Sequence, residues 1–164
     1  MADVANSKLL QQIEGIQNIS GAFVVLVKTE WNAAIVDELE RGCIHIFEQH
    51  GITYKTLIVP GAVELPFAVQ HYWQVSNQKP AAFITLGCVI RGDTPHFDYV
   101  CQSVTQGITQ LNVTMPVPTV FGVLTVNTAA QAQERIGGAH GHKGEEAAIT
   151  AIKMILLQQH ILNG

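Results

Sequence analysis

Charged side chains are scarce in this sequence: only 13% of its 164 residues are Asp, Glu, Lys or Arg, and nine of them are basic. The 13 acidic residues give a formal net charge of −4, so the chain lacks the basic surface that nucleic-acid binding requires. So little charge on a chain that is 48% hydrophobic indicates that other subunits cover part of its exterior. The composition therefore favours an oligomer and disfavours a nucleic-acid-binding protein.

Cysteines and long apolar runs are also few. Cys43, Cys88 and Cys101 are odd in number and do not have the spacing of a metal site, so we expect reduced thiols in an intracellular protein. No apolar run approaches the ~18 residues of a membrane span, and the N-terminus has no charged-then-apolar signal. His140 and His142 lack a third ligand, which disfavours a metal site. We expect a cytoplasmic protein with no membrane segment and no metal.

What the sequence does contain is a regular alternation of strand and helix patterns. Residues 1–19 are polar and irregular and predict a flexible N-terminal arm, and residues 20–164 predict a single domain. The predicted strands cover residues 23–27, 53–59, 81–86 and 118–125, and the predicted helices cover 33–50, 63–75, 95–111, 128–136 and 143–160. Asn32 is expected to cap the first helix and Gly51 to end it. Repeating βα units predict an α/β protein whose parallel sheet is covered by helices on both faces, in three layers.

The segment from residue 83 to residue 99, F-I-T-L-G-C-V-I-R-G-D-T-P-H-F-D-Y, is the most informative part of the chain. It predicts a buried strand that ends at Gly87, a second short apolar segment, and a helix that starts at Pro95 with Asp93 or Thr94 as its cap. A strand, a glycine turn and a helix N-terminus form an anion site from backbone N–H groups. His96 falls in the first turn of that helix, so a proton-transfer residue is expected beside a phosphate-sized pocket.

The ends of the four predicted strands carry the remaining polar, aromatic and glycine residues. These ends are residues 29–32, 59–64, 88–96 and 125–127. In a parallel sheet, ligands bind beyond the carboxyl ends of the strands, near the point where the strand order reverses. The sequence therefore predicts one binding site at this edge.

Six segments in this order resemble the lumazine synthase family, also called 6,7-dimethyl-8-ribityllumazine synthases. They are E-W-N at 30–32, V-P-G-A-V-E-L-P-F at 59–67, L-G-C-V-I-R-G-D-T-P-H-F-D-Y at 86–99, P-T-V-F-G-V-L-T at 118–125, Q-E-R-I-G at 133–137 and H-K-G-E-E-A-A at 142–148. The resemblance implies a flavodoxin-like fold and the penultimate step of riboflavin biosynthesis. That step condenses 5-amino-6-(D-ribitylamino)uracil with 3,4-dihydroxy-2-butanone 4-phosphate and uses neither a metal nor an organic cofactor.

The resemblance also implies which residues bind the aminouracil. Trp31 would stack on the pyrimidine ring, and Phe121 would pack over it from the neighbouring subunit. The residues implied for the ribityl chain are Ala62, Val63 and Glu64, and those whose main chain would read the edge of the heterocycle are Cys88, Val89 and Ile90. The alternatives are a partly buried structural Trp31, a Glu64 that only complements a helix N-terminus, and a Phe121 in the core.

The residues that the resemblance implies for phosphate binding are Asp93, Thr94, Arg135 and Lys143, and His96 would be the catalytic residue. Asp93 would contribute its backbone N–H, because its carboxylate repels a phosphate. A planar guanidinium suits a phosphate, although a lone Arg135 is more often solvated and Lys143 could simply begin a helix. A helix N-terminus disfavours the imidazolium, so a neutral His96 could act as a base; the alternative is a buried core histidine.

Family members form homopentamers, and some build icosahedral shells from them, so we expect an oligomer with active sites between subunits. The connection between Arg135 and Lys143 lacks extra residues, which favours the shell, and riboflavin synthase is a candidate partner. Two alternatives have to be weighed: a non-catalytic flavin or lumazine carrier, and an unrelated flavodoxin-like phosphate-binding or signalling module. The presence of His96, Arg135 and Lys143 argues against the carrier, and that of Trp31 and residues 61–64 argues against the module.

Overall fold

The computed structural model describes residue 19 and residues 21–163 of the chain. Its elements are β1 Phe23–Thr29, α1 Ala33–His50, β2 Thr53–Val59, a 3₁₀ turn Ala62–Glu64, α2 Leu65–Val75, β3 Ala82–Ile90, α3 His96–Thr114, β4 Thr119–Val126, α4 Ala129–Gln133, β5 Ile136–Gly138, β6 Gly141–His142 and α5 Lys143–Asn163. The predicted N-terminal arm falls outside the described residues except for Ile19, which is 2% exposed and belongs to the hydrophobic core.

The four long strands form one parallel sheet in the order β2-β1-β3-β4. This order reverses between β1 and β3, which places the topological switch point between those two central strands. The predicted α/β class, with a parallel sheet between helices in three layers, is confirmed. None of the helices between residues 21 and 163 is long and apolar enough to cross a bilayer.

The alternation of side chains along β1 divides the core into two layers. Val24 and Leu26 face the layer that contains α1 and α5, whereas Val25 and Val27 face the layer that contains α2 and α3. Residues 24–27 of β1 are fully buried on both faces of the sheet, which explains why this part of the strand is a continuous apolar run without polar alternation.

Two predicted boundaries on the path to the candidate site were wrong. The strand predicted to stop at Gly87 continues without interruption from Ala82 to Ile90, because Gly87 pairs with Val123 of β4. None of the predicted capping side chains caps its helix: no side-chain hydrogen bond caps α3, and Asn32 before α1 lies in the left-handed region at φ 58° and makes no side-chain cap bond. Gly51 closes α1 as predicted.

The segment between β4 and α5 also differs from the prediction. The helix expected over residues 128–136 covers only Ala129–Gln133, and a two-stranded antiparallel hairpin, β5–β6, follows it. The glycine-rich sequence of this hairpin has none of the alternation that signals a strand. Because the backbone N–H of Lys143 donates to the Arg135 carbonyl at 2.8 Å, the hairpin brings the main chains of these two residues together.

The start of α5 rests directly on α1 through glycine. A Cβ built on Gly144 would overlap the carbonyl oxygen of Leu39 and lie 2.8 Å from its carbonyl carbon. The Cys43 thiol donates to the Gly144 carbonyl oxygen at 3.1 Å in the same contact. This close approach fixes the first turn of α5, which carries Lys143.

We therefore expect Gly144→Ala to destabilise the protein, because the neighbouring atoms are backbone and cannot move aside as a side chain would. Overpacking of this kind costs about 1–3 kcal/mol of the free energy of unfolding, or a few degrees in the thermal midpoint. Thermal unfolding monitored by circular dichroism measures the change. Gly92→Ala is the matched control, since a Cβ there meets nothing within 4 Å; equal midpoints for the two variants would contradict the prediction.

Candidate active site

The switch point between β1 and β3 opens a crevice at the carboxyl edge of the sheet. The last residue pair of β1 with β3 joins Lys28 to Leu86, but β3 continues to Ile90 with only β4 beside it. Across the gap, the side-chain amide of Asn32 donates to the carbonyl oxygen of Cys88 at 2.8 Å. The main chain at the end of β3 therefore has an open edge that faces the end of β1.

Residues 88 and 90 present their main-chain groups to this open edge. The Cys88 carbonyl faces Asn32, and the backbone N–H of Arg91 faces the other way and donates to the Val126 carbonyl of β4 at 2.9 Å. Since main-chain groups of a strand alternate in direction, those of Ile90 share the side of Cys88 and those of Val89 point toward β4. A planar ring with donors and acceptors on its edge could hydrogen-bond to this strand end.

An aromatic and an acidic side chain lie beside the crevice. Trp31 is 73% exposed, so the described part of this chain leaves most of its indole uncovered. A Cβ at Gly61 would come within 3.6 Å of Trp31 Cδ1 and 3.0 Å of Glu64 Oε2, so these three residues are neighbours. Val63 is also exposed, and Ala62 is half-buried in the same turn. The sequence-predicted residues after β1 and β2 are therefore close together.

The loop between β3 and α3, residues 91–95, forms another part of the rim. Asp93 and Thr94 are exposed, and within the described chain no backbone hydrogen bond engages the amides of residues 92–94. His96 begins α3, is exposed and has no hydrogen-bond partner among the described residues, so the alternative of a buried core histidine is wrong. Free amides beside an exposed imidazole are suited to an anionic ligand that undergoes proton transfer.

The Cys88 thiol is not equipped to act as a nucleophile. Burial raises the pKa of Cys88 to about 11, and burial also raises the pKa of Cys43. A thiol reacts as its thiolate, which is a minor species at pH 7 when the pKa is this high. Cys88 therefore contributes its main chain and its small volume to the crevice.

A second group of predicted residues lines a groove of about 580 Å³ along β4, the edge strand of the sheet. Phe121 is 41% exposed there, which excludes a fully buried core role, and Lys143 lies across the groove. The Lys143 ammonium donates to both carboxylate oxygens of Glu146, at 2.7 and 2.8 Å, and its side chain is only 10% exposed. This ammonium is already paired, so a phosphate would have to share it with Glu146.

Arg135 lies at the start of the hairpin that precedes Lys143. Its Nη1 donates to the Gln131 carbonyl oxygen at 2.8 Å, and it forms no ion pair with any described carboxylate. The guanidinium is thus anchored by one donor and keeps its other donors. That arrangement fits a bidentate contact with an incoming phosphate.

Phe121 is not brought to the rim within one chain. Phe121 is in register with Thr85, five residues before the end of β3 at Ile90. At about 3.3 Å per residue, Phe121 lies about 10 Å along the strand from the level of Cys88 and roughly 16 Å from that of Ile90. It also lies on the side of β3 opposite the open edge, too far to reach a ring held there. The groove lies on the free edge of the sheet, where the surface of another molecule could approach it.

Two residues that hold the rim together were not predicted to do so. Asn32 was expected to cap α1, but it links β1 to β3; its left-handed conformation is one that asparagine adopts more readily than most residues, which is the available sequence signal. Arg91 lies in the most informative segment, but the sequence did not indicate a function for it. Its contacts with residues 98 and 127 depend on tertiary packing and have no local signature.

His142, one of the two histidines that could suggest a metal, is engaged by other groups of the protein. His142 Nε2 lies 3.6 Å from Glu38 Oε1, and its Nδ1 is near the backbone N–H of Glu145. Within residues 21–163, no group of three His, Cys, Asp or Glu side chains is arranged to hold a metal ion.

Comparison with known proteins matches residues 21–159 to the family described as 6,7-dimethyl-8-ribityllumazine synthase. A protein of that name from Porphyromonas gingivalis is 51% identical over 133 residues, which cover 79% of this chain and 81% of the relative. A protein of the same name from Bacteroides fragilis is 47% identical over 79% of this chain and 92% of the relative. Another, from Bdellovibrio bacteriovorus, is 45% identical over 84% of this chain and 76% of the relative. The matched region contains every element of the sheet and both groups of site residues.

Proposed function

Because this chain belongs to the 6,7-dimethyl-8-ribityllumazine synthase family, and is an enzyme of the transferase type in riboflavin biosynthesis, we propose its substrates and the residues that act on them. The proposed reaction joins 5-amino-6-(D-ribitylamino)uracil to 3,4-dihydroxy-2-butanone 4-phosphate and releases phosphate and water. The proposed compartment is the cytoplasm.

The open edge of β3 is the observation that carries this proposal. It lies at the switch point of the sheet; the exposed Trp31 follows β1, whose end faces this edge, and the exposed His96 begins the helix that follows β3. A pyrimidine is flat, has donors and acceptors along its edge and can stack on an indole, a contact that contributes about 0.5–1.5 kcal/mol beyond area burial. The ribityl chain would then extend toward Glu64, whose carboxylate accepts hydrogen bonds from hydroxyl groups.

The phosphate of the second substrate is proposed to bind the free amides of residues 92–94, with the Thr94 hydroxyl as a further donor and the Arg135 guanidinium opposite. In the reaction, the 5-amino group of the uracil attacks the ketone, and loss of water gives an imine. Phosphate leaves by elimination, and the ribitylamino nitrogen closes the ring with loss of a second water. His96 is proposed to move the protons that the condensation and elimination steps require.

The complete site is proposed to form between two copies of the chain. One copy would supply the rim, and the neighbour would supply Phe121, Arg135 and Lys143 from its β4 edge. The roughly 16 Å between Phe121 and the end of β3 supports this arrangement, since one chain cannot bring its own Phe121 to its own rim. A ring of five copies, alone or assembled into an icosahedral shell, would satisfy it.

A direct assay tests the proposed reaction. Purified protein is mixed with the two substrates, and product formation is followed by the absorbance of the lumazine and, in parallel, by released inorganic phosphate. We expect the two signals to rise together in a one-to-one ratio. Binding of the lumazine without turnover would instead identify a carrier, and no binding at all would refute the proposed substrates.

A further inference from the structure

Arg91 directly precedes residues 92–94, whose amides are proposed to bind phosphate, and its charge alone would make it a candidate phosphate ligand. Its guanidinium is already engaged by the protein. Nη2 and Nη1 donate to the two carboxylate oxygens of Asp98, at 2.7 and 3.3 Å, and Nε donates to the Asn127 side-chain oxygen at 3.1 Å. The face of the guanidinium lies 4.2 Å from the centre of the Phe97 ring.

These contacts close a ring around the loop and the first turn of α3. Arg91 precedes residues 92–95 and Asp98 follows them, so their ion pair ties the two ends of the segment that contains the free amides and His96. The backbone N–H of Asp98 donates to the Pro95 carbonyl at 2.9 Å within this ring. A guanidinium that contacts both oxygens of a carboxylate is held in a defined orientation, whereas a contact through a single atom leaves the orientation free.

The same guanidinium also attaches the loop to the end of β4. The backbone N–H of Arg91 donates to the Val126 carbonyl at 2.9 Å, next to Asn127, whose oxygen accepts from Arg91 Nε. The backbone N–H of Asn127 in turn donates to the Gln131 side-chain oxygen at 2.7 Å, and the Gln131 carbonyl holds Arg135. A continuous set of contacts therefore runs from the first turn of α3 to the hairpin.

We propose that Arg91 is a positioning residue: through Asp98 and Asn127 it holds the amides of residues 92–94 and the imidazole of His96 in place, and it is not a phosphate ligand. The proposal rests on the proposed function, because it assumes that the phosphate of the substrate binds this loop. Arg91 is 42% exposed and Asp98 is 53% exposed. An ion pair this exposed contributes little to global stability, so its loss changes the loop rather than the fold.

Asp98→Asn distinguishes positioning from ligation, because the two roles predict opposite results. If Arg91 were a phosphate ligand restrained by Asp98, removing this negative charge would free the guanidinium and tighten anion binding. If Arg91 positions the loop, the same substitution loosens the amides and weakens binding. We expect inorganic phosphate to bind Asp98→Asn about 3- to 30-fold more weakly than the wild type, which lies within the range of couplings measured between residues of one network.

The experiment titrates inorganic phosphate into the assembled wild type, Asp98→Asn, Arg91→Lys and the double variant by calorimetry. Arg91→Lys keeps the positive charge but loses the two-point contact of the guanidinium with Asp98, so it should weaken phosphate binding to a similar extent. The double variant should bind phosphate no more weakly than the single variant with the lower affinity. Glu48→Gln, which removes one exposed carboxylate from the far end of α1, is the matched control and should bind as the wild type does. Unchanged or tighter binding by Asp98→Asn, additive losses in the double variant, or no phosphate binding by the wild type would each overturn the proposal.

Hydrogen exchange adds a readout that needs no ligand. Amides of residues 92–98 should exchange faster in Asp98→Asn than in Glu48→Gln, with the thermal midpoints of the two variants alike; equal exchange would count against the proposal. The turnover assay separates this inference from the proposed function. A wild type that makes no lumazine refutes the function, whereas the phosphate titration and the exchange measurement still decide whether Arg91 positions the loop.

Discussion

Replacement of His96 by alanine is expected to lower kcat by about 10²- to 10⁴-fold, the usual contribution of one positioned proton-transfer group, and to leave measurable turnover. The condensation and the elimination both move protons, and His96 is the imidazole at the loop where the phosphate is proposed to leave. Activity should persist because holding two reactants side by side accelerates their condensation by itself. KM for either substrate should change little, since the imidazole is proposed to act in the transition state rather than in binding.

Because His96 is exposed, its substitution tests the catalytic role separately from any effect on stability. Its side chain has no partner in the described part of the chain, so its removal leaves no buried group unsatisfied and the variant should unfold at the wild-type temperature. Steady-state kinetics with each substrate varied in turn measures kcat and KM. A folded His96→Ala enzyme with wild-type kcat would refute the catalytic role. Complete loss of turnover with intact binding would refute the proposal that alignment of the two reactants accelerates the reaction by itself.

The sheet was predictable because each of its strands has a recognisable local sequence pattern. The run from Phe23 to Val27 is apolar without alternation, which is typical of a central parallel strand, and the bounds of α1 and β2 follow from asparagine, glycine and proline at their ends. With all four strands parallel, their carboxyl ends meet at one edge, so the grouping of Trp31 with residues 88–96 followed from the strand assignment.

What the sequence did not predict depends on partners far away along the chain. Asn32 looks like a helix cap, and only the packing of β1 against β3 reveals its bond to Cys88, 56 residues away. Gly87 looks like a strand end, but its missing side chain lets β3 pass Thr29, whose Cγ2 would lie 3.3 Å from a Cβ there. Strands of three and two residues, such as β5 and β6, are too short for any period to show.

If one copy of the chain supplies the rim and the next supplies Arg135, inactive variants of the two halves should restore activity when they assemble together. Arg135→Ala alone should lower kcat/KM for the phosphorylated substrate by about 10- to 150-fold, since a hydrogen bond to a charged group contributes about 1.5–3 kcal/mol. If each site takes its rim from one copy and its groove from the next, co-assembled His96→Ala and Arg135→Ala chains contain some sites with both halves intact. With equal amounts mixed at random, half the rims and half the grooves are wild type, so about one quarter of the sites recover.

The control for complementation is a pair of variants in the same half of the site. Trp31→Ala and His96→Ala both alter the rim, so no site in their mixture has an intact rim and activity should stay at the average of the two parents. The measurement is kcat/KM for the phosphorylated substrate after denaturing and refolding each mixture together, with separately refolded samples mixed afterwards as the reference. Recovery to about a quarter only in the co-refolded His96→Ala and Arg135→Ala pair would follow from a site shared between copies. The same activity in the co-refolded and reference samples would mean that His96 and Arg135 act in a site built by one chain.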